Sequence, residues 1–432
     1  MRWLQLQPLL VLVAALAAAA SGRSYRGYHL VHAVPRDSAD AAVLQSMSSW
    51  SNVDMWNRRA VPGRETTLMV APGAGQQRVL QRLEQEGVPY SRSEDDVQSM
   101  VEREAREQAS AAAARLQHRR LHASEPNVTF DAFMRYDEIE LYLRQLADKY
   151  PTLVTLQSVG KSAQGREMTV IRVSASDGAA PRAILVDAGI HAREWIAPAT
   201  ALYLIDQLVQ HADEHRDLLD GLDWYILPLV NPDGYEYTHT TDRFWRKNRG
   251  ADLLFLCERG ADLNRNFDFH WMQSGASTFP CAETFAGKKA FSEPESQNMR
   301  DFMLQANKDK RVKMYLTLHS YGPMILYPWG YDYRVDDAPD AKELAAIGNE
   351  ANAAMVAAGS EPFVVQNSAE LYPAAGGSDD WAKGVANIAK SYTIELQGGG
   401  ASGFDIPASR IAEVVAQTFQ GFRVFAGHAQ RL

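Results

Sequence analysis

From Phe130 to the C-terminus, short apolar runs alternate with longer amphipathic ones, and this alternation narrows the possible folds more than any other feature of the 432-residue chain. "LVTLQSVG", "EMTVIRVS", "RAILVDAG", "DWYILPLV", "VKMYLTLH" and "AKSYTIEL" have the length and β-branched content of buried strands. Around them, "DEIELYLRQLADKYP", "PATALYLIDQLVQHADEHRDLL", "EPESQNMRDFMLQAN" and "APDAKELAAIGNEANAAMVAAG" read as helices. Strands alternating with helices over roughly 310 residues predict an α/β fold, one large mixed sheet with helices on both faces. Such sheets hold ligands beyond the carboxyl ends of their strands, at a point where the strand order switches direction.

The first third has a different grain. Within residues 26–120, "GYHLVHAVP", "VDMWNRR" and "TTLMVAP" read as strands, with "VPYSRSEDD" as an edge strand. "SADAAVLQSMSSW" and "GQQRVLQRLEQEG" read as the helices between them. This βαββαβ order predicts a small α+β open sandwich. "VQSMVEREAREQASAAAARLQHRRLHA" follows, free of Gly and Pro and with little core-facing signal, so it is expected to be an exposed connecting helix. It ends in Arg119-Arg120, at the seam between two folding units, where chains are cut most readily.

Residues 1–20 carry one charge, Arg2, before an apolar run from Leu9 to Ala20. Small residues at Ala18, Ala20 and Ser21 complete a leader for export. A membrane anchor is the rival reading, but the run is shorter than the roughly 20 residues of a span. Export makes Cys257 and Cys281 disulfide partners, a closure worth about 3–4 kcal/mol. The sequon Asn127-Val128-Thr129 fits the same route. A net charge of -9 argues against a sequence-independent grip on nucleic acid.

His-x-x-Glu sets two ligand side chains on one face of a helical turn. The chain contains it at His122/Glu125, His191/Glu194 and His211/Glu214. The first pair lies beside the dibasic site, and the third sits in a polar helix end with Asp213, His215 and Asp217. His191/Glu194 directly follows "RAILVDAG", where an α/β sheet concentrates its chemistry, although a satisfied structural histidine stays open on that placement alone. His319 and Glu395 stand at the ends of two further apolar strands. Two His and one Glu would fill three positions on zinc and leave the fourth for water, with Glu395 as the separate carboxylate that takes its proton.

With "HAREW", "NPDGYEYT", "FWRKNR", "DLNRNFD", "TLHSYG", "LYPAAGGSDDW" and "YTIEL" in that order, residues 121–432 closely resemble the zinc metallocarboxypeptidases. The nearest branch is the digestive A/B type, the B form above all, made as a zymogen. The resemblance implies a leader at 1–20, an activation pro-segment at 21–120 and a catalytic domain at 121–432. It implies one Zn²⁺ on His191, Glu194 and His319, and Glu395 as general base and acid. Asp262 would orient the first zinc histidine. Asn264 and Arg265 would clamp the substrate's terminal carboxylate, with Tyr372 closing over it. Arg246 would steady the carbonyl oxygen, and Arg193 and Arg243 would make accessory carboxylate contacts. Asp379 matches the floor of the pocket for the terminal side chain, where Asp goes with Lys/Arg specificity and an apolar residue with A-type specificity. Alternatively "SDD" caps the helix that begins at Trp381, and Asp380 is the better placed to cap. The implied partners are peptide C-termini and a trypsin-like protease cutting after Arg120, for a secreted monomer with no membrane contact. One departure stands out: after Glu395 the chain reads "LQGGGASGF", where pancreatic members carry Arg-Asp and a Gly. That loop, with Asp405, leaves the terminal-residue preference open. A non-catalytic binding protein on the same scaffold is the rival from another class. A regulatory peptide-processing enzyme is the second rival, against which the long pro-segment speaks.

Overall fold

The computed structural model describes residues 22–48, 50–56, 60–121, 125–175, 182–250, 260–335, 337–399 and 403–432. The leader at 1–20, His122 and Cys257 lie outside them. Cys281 is disulfide-bonded. Among the described residues two compact units emerge, one drawn from 1–113 and 399–407, the other from 114–398 and 408–432.

In the first unit, β1 (His29–Ala33), α1 (Ser38–Met47), β2 (Val53–Met55), β3 (Thr66–Val70), α2 (Ala74–Glu86) and β4 (Tyr90–Arg92) follow the expected βαββαβ order. The sheet is antiparallel, ordered β2-β3-β1-β4, with "YSR" at its edge as expected. Asp37 starts α1 by accepting the N–H groups of Ala39 and Asp40. Val31, Leu68 and Val70 of the strands bury against Leu44, Val79 and Leu83 of the helices. Within the same unit Phe404 packs edge-to-face on Trp56, with ring centroids 5.3 Å apart. The connecting helix α3 (Val97–Leu121) runs unbroken to the dibasic pair, and the division between the units falls inside it, after Ala113. Its last turns belong to the second unit, where Arg115 pairs with Glu138 at 3.3 Å.

The second unit is built on an eight-stranded mixed sheet. Its strands are β5 (Val154–Lys161), β6 (Glu167–Val173), β7 (Arg182–Ala188), β8 (Leu222–Leu227), β9 (Val312–Ser320), β10 (Met324–Tyr327), β11 (Val364–Asn367) and β12 (Lys390–Leu396). Their order is β11-β10-β12-β9-β7-β8-β6-β5. The centre is parallel, with β12/β9, β9/β7 and β7/β8 all paired that way. From β7 the chain moves out to β8 on one side, whereas β9 neighbours β12 on the other. The boundary between β7 and β9 is therefore a switch point, and the carboxyl ends of those strands open the crevice.

The helices are α4 (Tyr136–Lys149), α5 (Ile196–Val209), α6 (Pro232–Thr240), α7 (Pro294–Ala306), α8 (Ala341–Ala357), α9 (Ser368–Leu371), α10 (Ser378–Gly384) and α11 (Ala408–Ala429). Ala183, Leu185 and Tyr315 of the central strands share a core with Met299 and Phe302 of α7 and Trp381 of α10. α5 and α11 also pack on β7 and β9. One helix is shorter than its sequence suggests. α5 stops at Val209, and after a turn only a 3₁₀ segment, Arg216–Leu218, follows. There the polar residues bond locally, Arg216 to Asp213 at 2.6 Å and His211 to Glu214 at 3.2 Å, in competition with helix continuation.

Candidate active site

His191 and Glu194 lie in the turn between β7 and α5, and His319 is the penultimate residue of β9. The switch point thus brings together residues 128 positions apart. All three are buried. Their candidate ligand atoms lie within 4.8 Å of one another, the one such group among the described residues. His191 Nδ1 is 2.8 Å from Glu194 Oε1 and 3.0 Å from His319 Nδ1. His319 Nδ1 is 3.2 Å from Glu194 Oε2. On its far side, His191 Nε2 stands 3.2 Å from Asp262 Oδ1. A carboxylate there keeps the proton on Nε2 and leaves the Nδ1 lone pair facing the cluster. Two imidazole nitrogens and a carboxylate oxygen turned to one point are the donor set of a three-residue zinc site with an open fourth position.

Electrostatics favour a cation there. Burial opposes ionisation of Glu194, yet His191 and His319 overcome it and hold its carboxyl well below the usual range. Burial and the Arg246 charge push His191 down to about 4, into its neutral, ligating form. Burial also works against a charge on His319, but Glu194 and Glu395 pull it up to about 9. Glu395 lies on β12, in register with His319 across the parallel pair. His211, by contrast, is 44% exposed beside an exposed Glu214, so the third His-x-x-Glu is a solvated face.

Arg246 is buried and donates Nε and Nη2 to Asp262 Oδ2 at 3.2 and 3.0 Å, with Nη1 3.6 Å from Glu194. One carboxylate, Asp262, therefore orients both His191 and Arg246. Arg265, 2% exposed, donates Nε to the Gly275 carbonyl and Nη1 to the Asn264 carbonyl, while its buried Nη2 has no partner among the described residues. The Tyr372 ring lies 5.8 Å from the Arg265 guanidinium carbon. Asn264 Oδ1 accepts the N–H of Ser378 at 2.8 Å, which links Asn264 and Arg265 to the start of α10. Arg193 and Arg243 are buried, and each bonds a backbone carbonyl, of Phe244 and Arg193 respectively. Arg243 also stacks 3.6 Å above Trp195.

Asp379 and Asp380 occupy the first turn of α10. The capping expectation for Asp380 does not hold: the N-cap is Gly377, with no side-chain cap. Asp380 instead accepts the N–H of Gly330 at 2.8 and 3.0 Å, because the loop after β10 needs a buried acceptor. Burial and the neighbouring Asp379 raise its carboxyl well above the usual range. Asp379, 7% exposed, accepts one long bond from Ser368 Oγ at 3.4 Å.

Sequence reasoning did not find the backbone groups that complete the site. Ser320 N–H bonds Glu194 Oε2 at 3.2 Å, and the Gly275 carbonyl holds Arg265. The only signal for them is glycine. Gly376 has φ +79, and a Cβ there would fall 2.5 Å from the Arg265 carbonyl oxygen. Gly275 has φ +62, with a Cβ only 1.9 Å from the Pro373 carbonyl oxygen.

A family model described as zinc carboxypeptidase matches residues 139–421, and another described as carboxypeptidase activation peptide matches residues 31–104. A carboxypeptidase B from Astacus astacus is 41% identical over 292 residues, 67% of this chain and 95% of its own. The carboxypeptidase B of Homo sapiens is 36% identical over 304 residues, 69% of this chain and 71% of its own. The crystal structure of a carboxypeptidase A from Helicoverpa armigera matches with a TM-score of 0.85 and 32% identity, over 94% of this chain and 98% of that one.

Proposed function

Because this chain belongs to the zinc carboxypeptidase family and carries that family's activation peptide ahead of its catalytic domain, we propose that it is a secreted exopeptidase that releases C-terminal Lys or Arg from peptides and proteins. The observation that carries this reading is Arg265. A guanidinium that is 2% exposed and keeps one donor unpartnered is costly unless an anion completes it. A peptide's terminal carboxylate is the planar, bidentate partner that fits. Tyr372 stands where it can cover that pairing.

Zinc is the metal of this family, and His191, Glu194 and His319 would hold it. When bound it supplies a Lewis acid that polarises the scissile carbonyl and acidifies water. Glu395 takes the proton of the attacking water and passes it to the leaving nitrogen. Arg246, anchored on Asp262 through two nitrogens, offers its remaining donor to the carbonyl oxygen as charge builds there. Asp379 supplies the specificity: a buried carboxylate with one long bond pairs with a guanidinium or ammonium and would be left unpaired by Leu or Phe.

The precursor reading rests on the activation peptide, on the leader-like residues 1–20 and on the dibasic pair closing α3. Gly399–Pro407 begins four residues after Glu395 and groups with the first unit, where Phe404 packs on Trp56. Removing the pro-segment removes that partner. The test is a pair of peptides that differ only at the C-terminal carboxyl. The free acid is cleaved, and the amidated peptide, which offers Arg265 no anion, is cleaved at least about a hundredfold more slowly. Equal cleavage of the two would exclude an exopeptidase.

A further inference from the structure

Beneath the first turn of α10 lies a buried polar group that the reaction does not use. Tyr315 of β9 is in register with Leu185 of β7 and with Ser391 of β12. Asp187 lies two residues beyond Leu185 and so projects from the same face of the sheet. Asp187, Tyr315 and Ser378 are all fully buried. Thr317 donates to Asp187 Oδ1 at 2.9 Å. Asp187 Oδ2, the Tyr315 hydroxyl and Ser378 Oγ have no hydrogen-bond partner among the described residues. Burial holds the Tyr315 hydroxyl well above its usual pKa, Asp187 adds to this, and Ser378 works against it. Buried hydroxyls and carboxylates are bonded as a rule, and Asp187, Ser378 and Thr317 are the side chains that act on the Tyr315 hydroxyl.

The group sits under the pocket residue. Ser378 immediately precedes Asp379. Its N–H is held by Asn264, and the Asp379 carbonyl accepts Ser391 Oγ–H at 2.8 Å. The side chains of Asn264 and Ser391 therefore hold the backbone of this turn from two directions.

We propose that Tyr315 is a positioning residue for the cationic terminus: its hydroxyl donates to Asp187, accepts from Ser378, and thereby fixes the turn from which Asp379 projects. The proposal rests on the reading of Asp379 as the specificity carboxylate. The hydroxyl touches neither substrate nor metal, so its loss weakens binding of the cationic side chain and leaves the chemistry intact.

Tyr315→Phe and Ser378→Ala test this, alone and combined with Asp379→Ala, on peptides ending in Arg or Leu. With Tyr315→Phe, KM for the Arg peptide rises about tenfold at nearly constant kcat, while the Leu peptide and the zinc content are unchanged. In the Asp379→Ala background the same substitution has no further effect, the signature of coupled residues. Equal losses on both peptides, or an undiminished effect without Asp379, would mean that Tyr315 merely supports the core. If Tyr315→Phe does not fold, Ser378→Ala carries the same comparison. A wild-type enzyme indifferent to Arg overturns the reading of Asp379 and this proposal with it. A wild-type preference for Arg that survives both substitutions overturns this proposal alone.

Discussion

Glu395 and His319 are register partners across the parallel strands β12 and β9. The proposed base thus stands beside a proposed zinc ligand, on a strand that supplies no ligand of its own to the buried triad. Glu395→Gln should therefore keep a full complement of zinc while turnover falls ~10²–10⁴-fold. Metal analysis of the dialysed variant beside its kcat checks both halves. Loss of zinc would make Glu395 a ligand.

The triad and its support should separate in metal affinity. His319→Ala should retain no stoichiometric zinc, because it removes one of the three proposed ligands. Asp262→Ala should weaken zinc by about 10–100-fold, because it releases His191 Nε2 and the Arg246 guanidinium but deletes no ligand. Chelator competition measures both, and equal affinities would contradict this division.

The alternating runs located the central strands because β7, β9 and β12 are buried along nearly their whole length and so draw heavily on apolar and β-branched residues. The same logic exposed His319 and Glu395, polar groups closing apolar strands. β10 and β11, four residues each, are too short to stand out from a loop. The pairing of Arg246 with Asp262 was also out of reach, since it forms across 16 residues that carry no periodic pattern. Asp380 shows why a local rule failed: N-cap propensity favoured it, but a distant backbone N–H, that of Gly330, claimed the carboxylate.

Trypsin treatment of the full chain should raise activity sharply. N-terminal sequencing should place the cut after Arg120, or after Arg115 or Arg119. All three arginines lie towards the end of α3. Full activity before treatment, with no gain afterwards, would remove the inhibitory role of the pro-segment.

Glu295 predicts a pH dependence of stability. Burial raises its carboxyl from 4.5 to about 7, against bonds from Ala163 N–H and Asn248. A raised folded pKa means the folded state binds the proton more tightly. Its stabilising contribution is complete below the unfolded value and is lost as pH rises through 7, about 3 kcal/mol in all. Glu295→Gln should flatten the fall in Tm between about pH 5 and pH 8. A parallel fall in both proteins would show that Glu295 ionises without cost.

The account as a whole turns on Asp379. Its first test is the substitution Asp379→Ile, which should abolish the preference for Lys and Arg and raise activity on Leu and Phe. The most direct measurement needs no variant. The trypsin-activated enzyme is given one peptide with Arg, Lys, Leu or Phe as its last residue, and kcat/KM is compared. The carboxylate in the first turn of α10 predicts that Arg and Lys lead Leu and Phe by at least about a hundredfold, the cost of leaving a buried charge unpaired. Release of Phe faster than Arg would contradict it and leave the zinc chemistry standing.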